Sequence, residues 1–408
     1  MARVAIVADD LTGALDTAGR WARLGLRTLV LLGATPLPPA EAVAIHTASR
    51  SATPEQAYRL AQEAAQCLQH HNVYKKLDST LRGNIGAEVD GLLDGLQLRR
   101  ALIAPAFPAA GRTVEGGFLR IHGVPLAQTD FQCDPRSPAR ESHVPTLVST
   151  QTRRSVGHLP LETVTQGEAA IRRALQDSEA ELVVADAAET EHLYALARAV
   201  AHMRRSWLCC GSAGLAEGWL HALGLTRPAA EPFCWPPRSG PVLVIAGSRH
   251  PMTAAQLREA QAQRDLQLVC LSLAAGDDSA QWLDAVHMLA EGHHVALTTA
   301  FTPYQPGNEI MAPAYLARAA ARVCANVETA GLILTGGDTA NAVCVALGMV
   351  GLEVVGEVQP GIPAARGIGG PGDGLRLVTK AGAFGDEYTL IRGMDFLQGV
   401  DGSPCQDR

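Results

Sequence analysis

The chain has 408 residues, 47% of them hydrophobic but only 4% aromatic, with 40 glycines, a mean hydropathy of +0.06 and a formal net charge of -7. That length predicts two domains, and the composition suits an α/β protein with close helix–sheet packing. The negative balance, with no long basic run, argues against nucleic acid or an anionic membrane surface as partner, and no run of about 18 apolar residues predicts a membrane span.

In chain order, Val4–Ala8 is a short apolar run of the kind buried in a parallel sheet. No charged and apolar leader precedes it, so no signal peptide is expected. It runs into VADDLTGALD (7–16), where a strand ends and a helix begins at Asp9 and Asp10. A carboxylate there can accept a hydrogen bond from a sugar hydroxyl, hold Mg²⁺, act as a base or cap the helix, as Thr12 also can. It repels phosphate, so this is not a phosphate-cradling turn. The stretch 42–45 leads into HTASR (46–50), where Arg50 can grip a carboxylate with its two-pronged guanidinium or form a surface ion pair.

A helix over 54–69 is predicted from Thr53 as N-cap, Pro54 as first helical residue and Gln56 completing a capping box. Its apolar face is Ala57, Leu60, Ala61, Ala64 and Leu68. YKKLDSTLRGN (74–84) then crowds Lys75, Lys76, Asp78, Ser79, Thr80, Arg82 and Asn84 into one strand-to-helix junction. These offer cations for an acid and hydrogen-bonding groups for a polyol, or an ion-paired helix start. Asn84 is a candidate N-cap for a helix carrying Ile85, Val89, Leu92, Leu93 and Leu96 on one face. The segment 104–135 reads as an irregular, hairpin-like excursion, with Arg112, Asp130 and, just beyond it, His143 as candidate site neighbours.

Five prolines at 228, 232, 236, 237 and 241 break regular structure around 225–240. We therefore expect one domain over 1–224, a proline-rich linker over 225–240 and a second domain over 241–400, with the tail 398–408 frayed. Both halves alternate strands and helices, predicting mainly parallel sheets flanked by helices. In the second half, Gly247-Ser248, Thr335-Gly336-Gly337-Asp338-Thr339 and Lys380-Ala381-Gly382 are turns of small residues beyond apolar runs. Such turns let a backbone approach a ligand closely, and N–H groups at helix starts favour phosphate. Three on one predicted sheet make a nucleotide site.

Several familiar patterns are rejected. GIGGPG (367–372) matches G-x-G-x-x-G in letters, but it lies in a loop leading to the strand-like run 375–378, whereas a dinucleotide fingerprint needs a helix after it. Neither G-x-x-x-x-G-K-[ST] nor G-x-S-x-G occurs, and GSAGLAEG (211–218) only resembles a nucleophile elbow. Nine cysteines without C-x-x-C spacing exclude a zinc or thiol-redox motif and read as free thiols of a reducing, cytoplasmic setting.

The segments VADDLTGALD, YKKLDSTLRGNIGAE, APAFPAAGRT, GVPL, ESHVPTL, GSAGLA, GSRHPMTAAQ, TGGDTANAV and KAGAFG together resemble the four-carbon acid sugar kinases, in family order from about residue 4 to about 395. KLDSTLRGN and ADDLTG are the specific parts. The chain departs from the family in reading GGDTANA for the usual GGET-S/T-G and KAGAFG where SGNFG is common. The resemblance implies an acid-sugar-binding N-terminal domain and a nucleotide-binding C-terminal domain, with the active site in the cleft between them. It implies transfer of the ATP γ-phosphate, with Mg²⁺, to the terminal hydroxyl of threonate, erythronate or 3-oxo-tetronate. Carried onto this sequence, Asp10, Arg50 and Lys76, with Asp78, Ser79, Thr80, Leu81 and Arg82, become acid-sugar contacts. Ser248, Gly336, Gly337, Asp338, Thr339 and Gly382 become ATP contacts. Asp10 and Asp78 are both candidates for the base; metal ligands stay unassigned, and a homodimer is the working assembly. The rival readings are a non-catalytic sensor of a sugar acid and nucleotide, and a metal-dependent aldolase or hydrolase, for which no H-x-H or H-E-x-x-H set exists.

Overall fold

The computed structural model describes residues 4–33, 39–133, 138–227, 233–273, 280–301 and 307–400; part of the proline-rich segment and most of the tail lie outside them. The chain divides into two units, one of residues 1–26 and 33–228, the other of residues 27–32 and 229–408.

Among the described residues, the first unit's sheet runs in the order Ala42–His46, Val4–Ala8, Asn72–Lys76, Trp207–Gly211, Arg100–Ala104, Leu182–Ala185, Val156–Leu159, all parallel. Val4–Ala8 is buried along its whole length, as a central strand covered on both faces must be. The helix Leu11–Arg23 begins under an Asp10 cap, and its Trp21 stacks on Trp219 of Ala213–Ala222 with ring centroids 6.2 Å apart. The excursion folds into a small antiparallel sheet of Arg112–Glu115, Phe118–Ile121 and Val124–Pro125.

The helix Pro54–Cys67 forms with both halves of its capping box, Thr53 accepting from the Gln56 N–H and Gln56 from the Thr53 N–H. It ends two residues earlier than the pattern suggested. Its small face packs on Ile85–Leu96, where Gly91 leaves no room: a Cβ there would stand 2.2 Å from the Tyr58 carbonyl oxygen. Gly91→Ala is therefore expected to destabilise the chain by about 1–3 kcal/mol through overpacking, despite alanine's better helix propensity. A urea midpoint at or above that of the unsubstituted protein would refute this. Asn84 stands at the N-cap position of this helix, but its side chain does not cap it. The amide donates instead to the carbonyls of Ser49 (3.1 Å) and Ala52 (2.9 Å).

The second unit's sheet runs Gln267–Cys270, Val295–Thr298, Val242–Ala246, Gly331–Thr335, Arg376–Lys380 in parallel, then Ile362–Ile368, Gly351–Gln359 and Thr28–Leu31 antiparallel. The last strand corrects the simple division at the prolines. Residues 27–32 sit within the N-terminal stretch of sequence, yet Thr28–Leu31 pairs with Gly351–Gln359, and Arg27 Nε meets Glu353 at 2.6 Å. Ile362–Ile368 ends at a short 3-10 turn, Gly370–Gly372, which leads into Arg376–Lys380. No helix follows GIGGPG, so the pattern is not a dinucleotide fingerprint. Among the described residues no helix is long and apolar enough to cross a membrane.

Candidate functional site

In the first unit, His46, Ala8 and Lys76 end three adjacent parallel strands in register. The turns after them, 9–10, 47–50 and 77–83, therefore emerge side by side at the carboxyl edge of the sheet, where ligands of such sheets bind. Two of these turns carry non-glycine residues in the left-handed region, Ala48 (φ 53°) and Leu81 (φ 59°). Such strain persists only where the surroundings impose it, and it collects at functional sites.

Arg50 is the hub. Its Nε and Nη2 donate to Asp9 Oδ2 (2.7 Å) and Oδ1 (3.3 Å), and Nη2 also lies 2.8 Å from Asp10 Oδ1 and 3.6 Å from Asp78 Oδ1. Three carboxylates thus converge on one guanidinium, and among the described residues no set of three or more metal-ligating side chains is arranged to hold a metal ion. Asp78 is gripped from the other side by Arg82, through Nε (2.9 Å) and Nη2 (3.1 Å), and by the Thr80 hydroxyl. Burial pushes the Asp78 carboxyl up, but Arg82 and Arg50 outweigh it and hold the group well below the usual carboxylate range. Asp9 is lowered in the same way, burial being outweighed by Arg50 and Lys75.

Two neighbouring residues escape this saturation. Asp10 spends Oδ1 on the Gly13 N–H (3.0 Å) and on Arg50, while Oδ2 has no hydrogen-bond partner among the described residues. Gly13 is obligatory here, because a Cβ would stand 2.5 Å from Asp10 Oδ1. Lys76 is buried, its Nζ donating only to the Leu77 carbonyl (2.6 Å), and it forms no ion pair among the described residues. Its neighbour Lys75 points to the opposite face of the strand, as alternation demands, and closes a buried pair with Glu88 at 2.6 Å. Ser49 donates to the same carboxylate at 2.7 Å. Lys75 stays protonated above its ordinary range, because Glu88 and Asp9 outweigh burial.

Of the remaining expected residues, Ser79 and Leu81 sit in the same turn; Leu81 shapes it by its left-handed backbone. Arg112 is at the rim. Its Nε is buried without a hydrogen-bond partner, and burial lowers the guanidinium while Asp78 pulls the other way. His143 is engaged elsewhere, its ring 4.8 Å from Phe118 and its Nδ1 2.7 Å from Thr146 Oγ1, and Asp130 is exposed. No sequence pattern pointed to Phe131, whose ring lies under Arg82 at 5.9 Å, or to the Lys75–Glu88 pairing.

The second unit builds a different surface from the same device. Ala246, Thr335 and Lys380 end adjacent strands in register. Gly336 (φ 97°) then turns the chain into the helix Gly337–Ala346, whose first turn presents Asp338 and Thr339. The three glycine turns interlock: a Cβ on Gly382 would stand 2.0 Å from Ser248 Oγ, one on Gly247 2.0 Å from Thr339 Oγ1, and one on Gly336 3.6 Å from the Ser248 N. The turn after Lys380 is tied down by Thr253, which donates to the Gly382 carbonyl (3.0 Å), and by Gln256, which donates to those of Phe384 and Asp386. Ser248, Gly336, Gly337, Thr339 and Gly382 are thereby brought together around a helix N-terminus, a setting that favours phosphate.

An open carboxylate oxygen and an unpaired ammonium on one sheet edge can meet a small hydroxy acid, and a glycine-lined helix start favours a nucleotide's phosphates; together they fit a phosphotransferase. Comparison agrees with this. Residues 4–219 match the family model described as a sugar-binding N-terminal domain, and residues 243–390 one described as a nucleotide-binding C-terminal domain. A D-threonate kinase of Salmonella typhimurium is 32% identical, covering 97% of this chain and 98% of its own. A D-erythronate kinase of Heliobacterium modesticaldum is 33% identical, covering 97% of each. A solved structure from Salmonella typhimurium LT2, under a provisional tRNA-synthase label, superimposes with a TM-score of 0.80 at 27% identity, covering 96% of this chain and 99% of that one. The chain belongs to the four-carbon acid sugar kinase family, and it is a sugar-acid kinase.

Proposed function

We propose that the protein transfers the γ-phosphoryl group of ATP to the terminal hydroxyl of a four-carbon sugar acid, with threonate, erythronate and 3-oxo-tetronate as the candidate substrates. The observation that carries this reading is the pairing of an unspent carboxylate oxygen, Asp10 Oδ2, with an unpaired buried ammonium, Lys76, on one sheet edge. Asp10 Oδ2 accepts the hydrogen bond of the reacting hydroxyl and takes its proton as the oxygen attacks phosphorus. Lys76, with Arg112 at the rim, meets the substrate carboxylate. Arg50 is committed to Asp9, Asp10 and Asp78, so its part is to hold those carboxylates in place. Asp78, pinned by Arg82 and Thr80, fixes the turn 78–82 and offers its neighbours Ser79 and Thr80 to substrate hydroxyls.

ATP lies with its phosphates on the turn 336–339 and against Ser248 and Gly382. Asp338, the carboxylate on that turn, would hold Mg²⁺ together with the nucleotide's own phosphates, one or two carboxylates being the usual protein share of such a site. The ion supplies charge neutralisation of the phosphates; the protein supplies position. The free thiols among the described cysteines fit a cytoplasmic enzyme.

The test is coupled ADP release from Mg·ATP against a panel of D- and L-threonate, D- and L-erythronate and the 3-oxo acids. We expect acid-dependent turnover on at least one member. Silence across the panel, with ATP still binding by calorimetry, would overturn the kinase reading in favour of a sensor.

A further inference from the structure

Lys380 ends the strand Arg376–Lys380 at the centre of the glycine turns and is only 1% exposed. An ammonium has three donors to satisfy. Among the described residues the only acceptor Nζ finds is the Gly382 carbonyl at 3.2 Å, and no carboxylate pairs with it. The same chain shows how a structural lysine is buried: Lys75 is equally enclosed, but Glu88 lies 2.6 Å from its Nζ. An uncompensated buried cation is costly, and a fold keeps one where a ligand supplies the missing charge. Burial alone pushes the Lys380 ammonium down to about 7. The ionisable side chains on the flanking turns are Arg249, His250 and Asp338, and among the described residues none is ion-paired to it.

Its surroundings point to the ligand. The Lys380 carbonyl accepts the Gly336 N–H at 2.9 Å, so the strand end is tied to the turn that opens the helix Gly337–Ala346. Its partner in register across the sheet is Thr335, whose hydroxyl is buried without a hydrogen-bond partner. Gly382, which accepts from Nζ, is the glycine that packs on Ser248.

We propose that Lys380 is a catalytic residue that contacts the β- and γ-phosphate oxygens of the nucleotide and neutralises the charge that builds there as the γ-phosphoryl group departs. This rests on the nucleotide reading of the second unit. It adds a cation that the family resemblance did not assign, on a turn where the sequence suggested only backbone donors.

The experiment is calorimetry on the full-length protein with Mg·ATP and with adenosine. Lys380→Met, which keeps the length and removes the charge, is expected to weaken ATP binding roughly 10–100-fold, the worth of a hydrogen bond to a charged group, and to leave adenosine binding within about twofold. Lys380→Arg is expected to regain part of the loss. At pH 8 the free ammonium is largely neutral, so ATP binding to the unsubstituted protein should take up close to one proton, read from buffers of different ionisation enthalpy; Lys380→Met should take up none. Unchanged ATP affinity in a Lys380→Met protein with normal thermal unfolding would overturn the inference, as would absence of proton uptake by the unsubstituted protein. The second readout stands even if the variant fails to fold. Were the unsubstituted protein to bind no nucleotide, the reading of the whole unit would fall, a result distinct from loss of the lysine's role alone.

Discussion

Asp10→Asn should lower kcat by roughly 10²–10⁴-fold, the usual worth of a positioned general base. Asparagine preserves the size of the side chain, and its oxygen can still accept the Gly13 N–H that Asp10 caps at 3.0 Å. What it cannot do is take a proton at the position now held by Oδ2. Steady-state kinetics should show the loss mainly in kcat, with the nucleotide KM changed only a few-fold. The comparison is Asp78→Asn. Asp78 is held well below the ordinary carboxylate range by Arg82 and Arg50, so it is a poor proton acceptor and works by position. Its replacement should disturb the turn 78–82 and raise the sugar-acid KM. An Asp10→Asn enzyme with undiminished kcat/KM would remove Asp10 from the chemistry.

The second large effect lies beneath the site. Lys75 and Glu88 are 1% and 3% exposed and 2.6 Å apart, with Ser49 and Asp9 completing the cluster. Lys75→Met leaves Glu88 as a buried charge without its cation, which costs about 3–5 kcal/mol. For a unit of this size that corresponds to a fall of roughly 6–20 °C in its unfolding midpoint. The double change Lys75→Met with Glu88→Leu should recover much of the loss, because both charges then go together. If calorimetric midpoints of single and double variants fell additively, the pair would not be the coupled unit described. Acid should act on the same cluster. The carboxyls of Asp9 and Asp78 are lowered in the folded chain, so they stabilise it above their unfolded range near 4, and that contribution is lost as pH falls through their folded values.

What could be read from sequence was local and periodic. The buried strand Val4–Ala8, the capping box at Thr53 and Gln56, and the misfit of GIGGPG to a dinucleotide turn all depend on residues within a few positions of one another. The same holds for the strand-to-helix turns at 9–10, 78–84 and 336–339. What escaped was set by packing between distant segments. Lys75 and Lys76 are equivalent in the string YKK, and only strand alternation and the position of Glu88 send one into the core and leave the other unpaired. Arg50 looked like an open clamp for a substrate carboxylate, since nothing near it in sequence revealed that Asp9, Asp10 and Asp78 converge on it. Asn84 offered good capping chemistry, but the carbonyls of Ser49 and Ala52 compete for its amide. The strand Thr28–Leu31 gave no hint that its partner lies in the other half of the chain.

That strand has a consequence in time as well as space. Its pairing partner begins at Gly351, some 320 positions downstream of Leu31. At about 5–20 residues per second, a ribosome needs on the order of tens of seconds to deliver it. Throughout that interval the edge of TLVL that will pair with Gly351–Gln359 lacks that partner, and an unpaired strand edge is a template for wrong pairing. The closing of the second unit's sheet is therefore a late, long-range event with a high entropic toll. Until then, a segment made with the first unit waits for a unit not yet made.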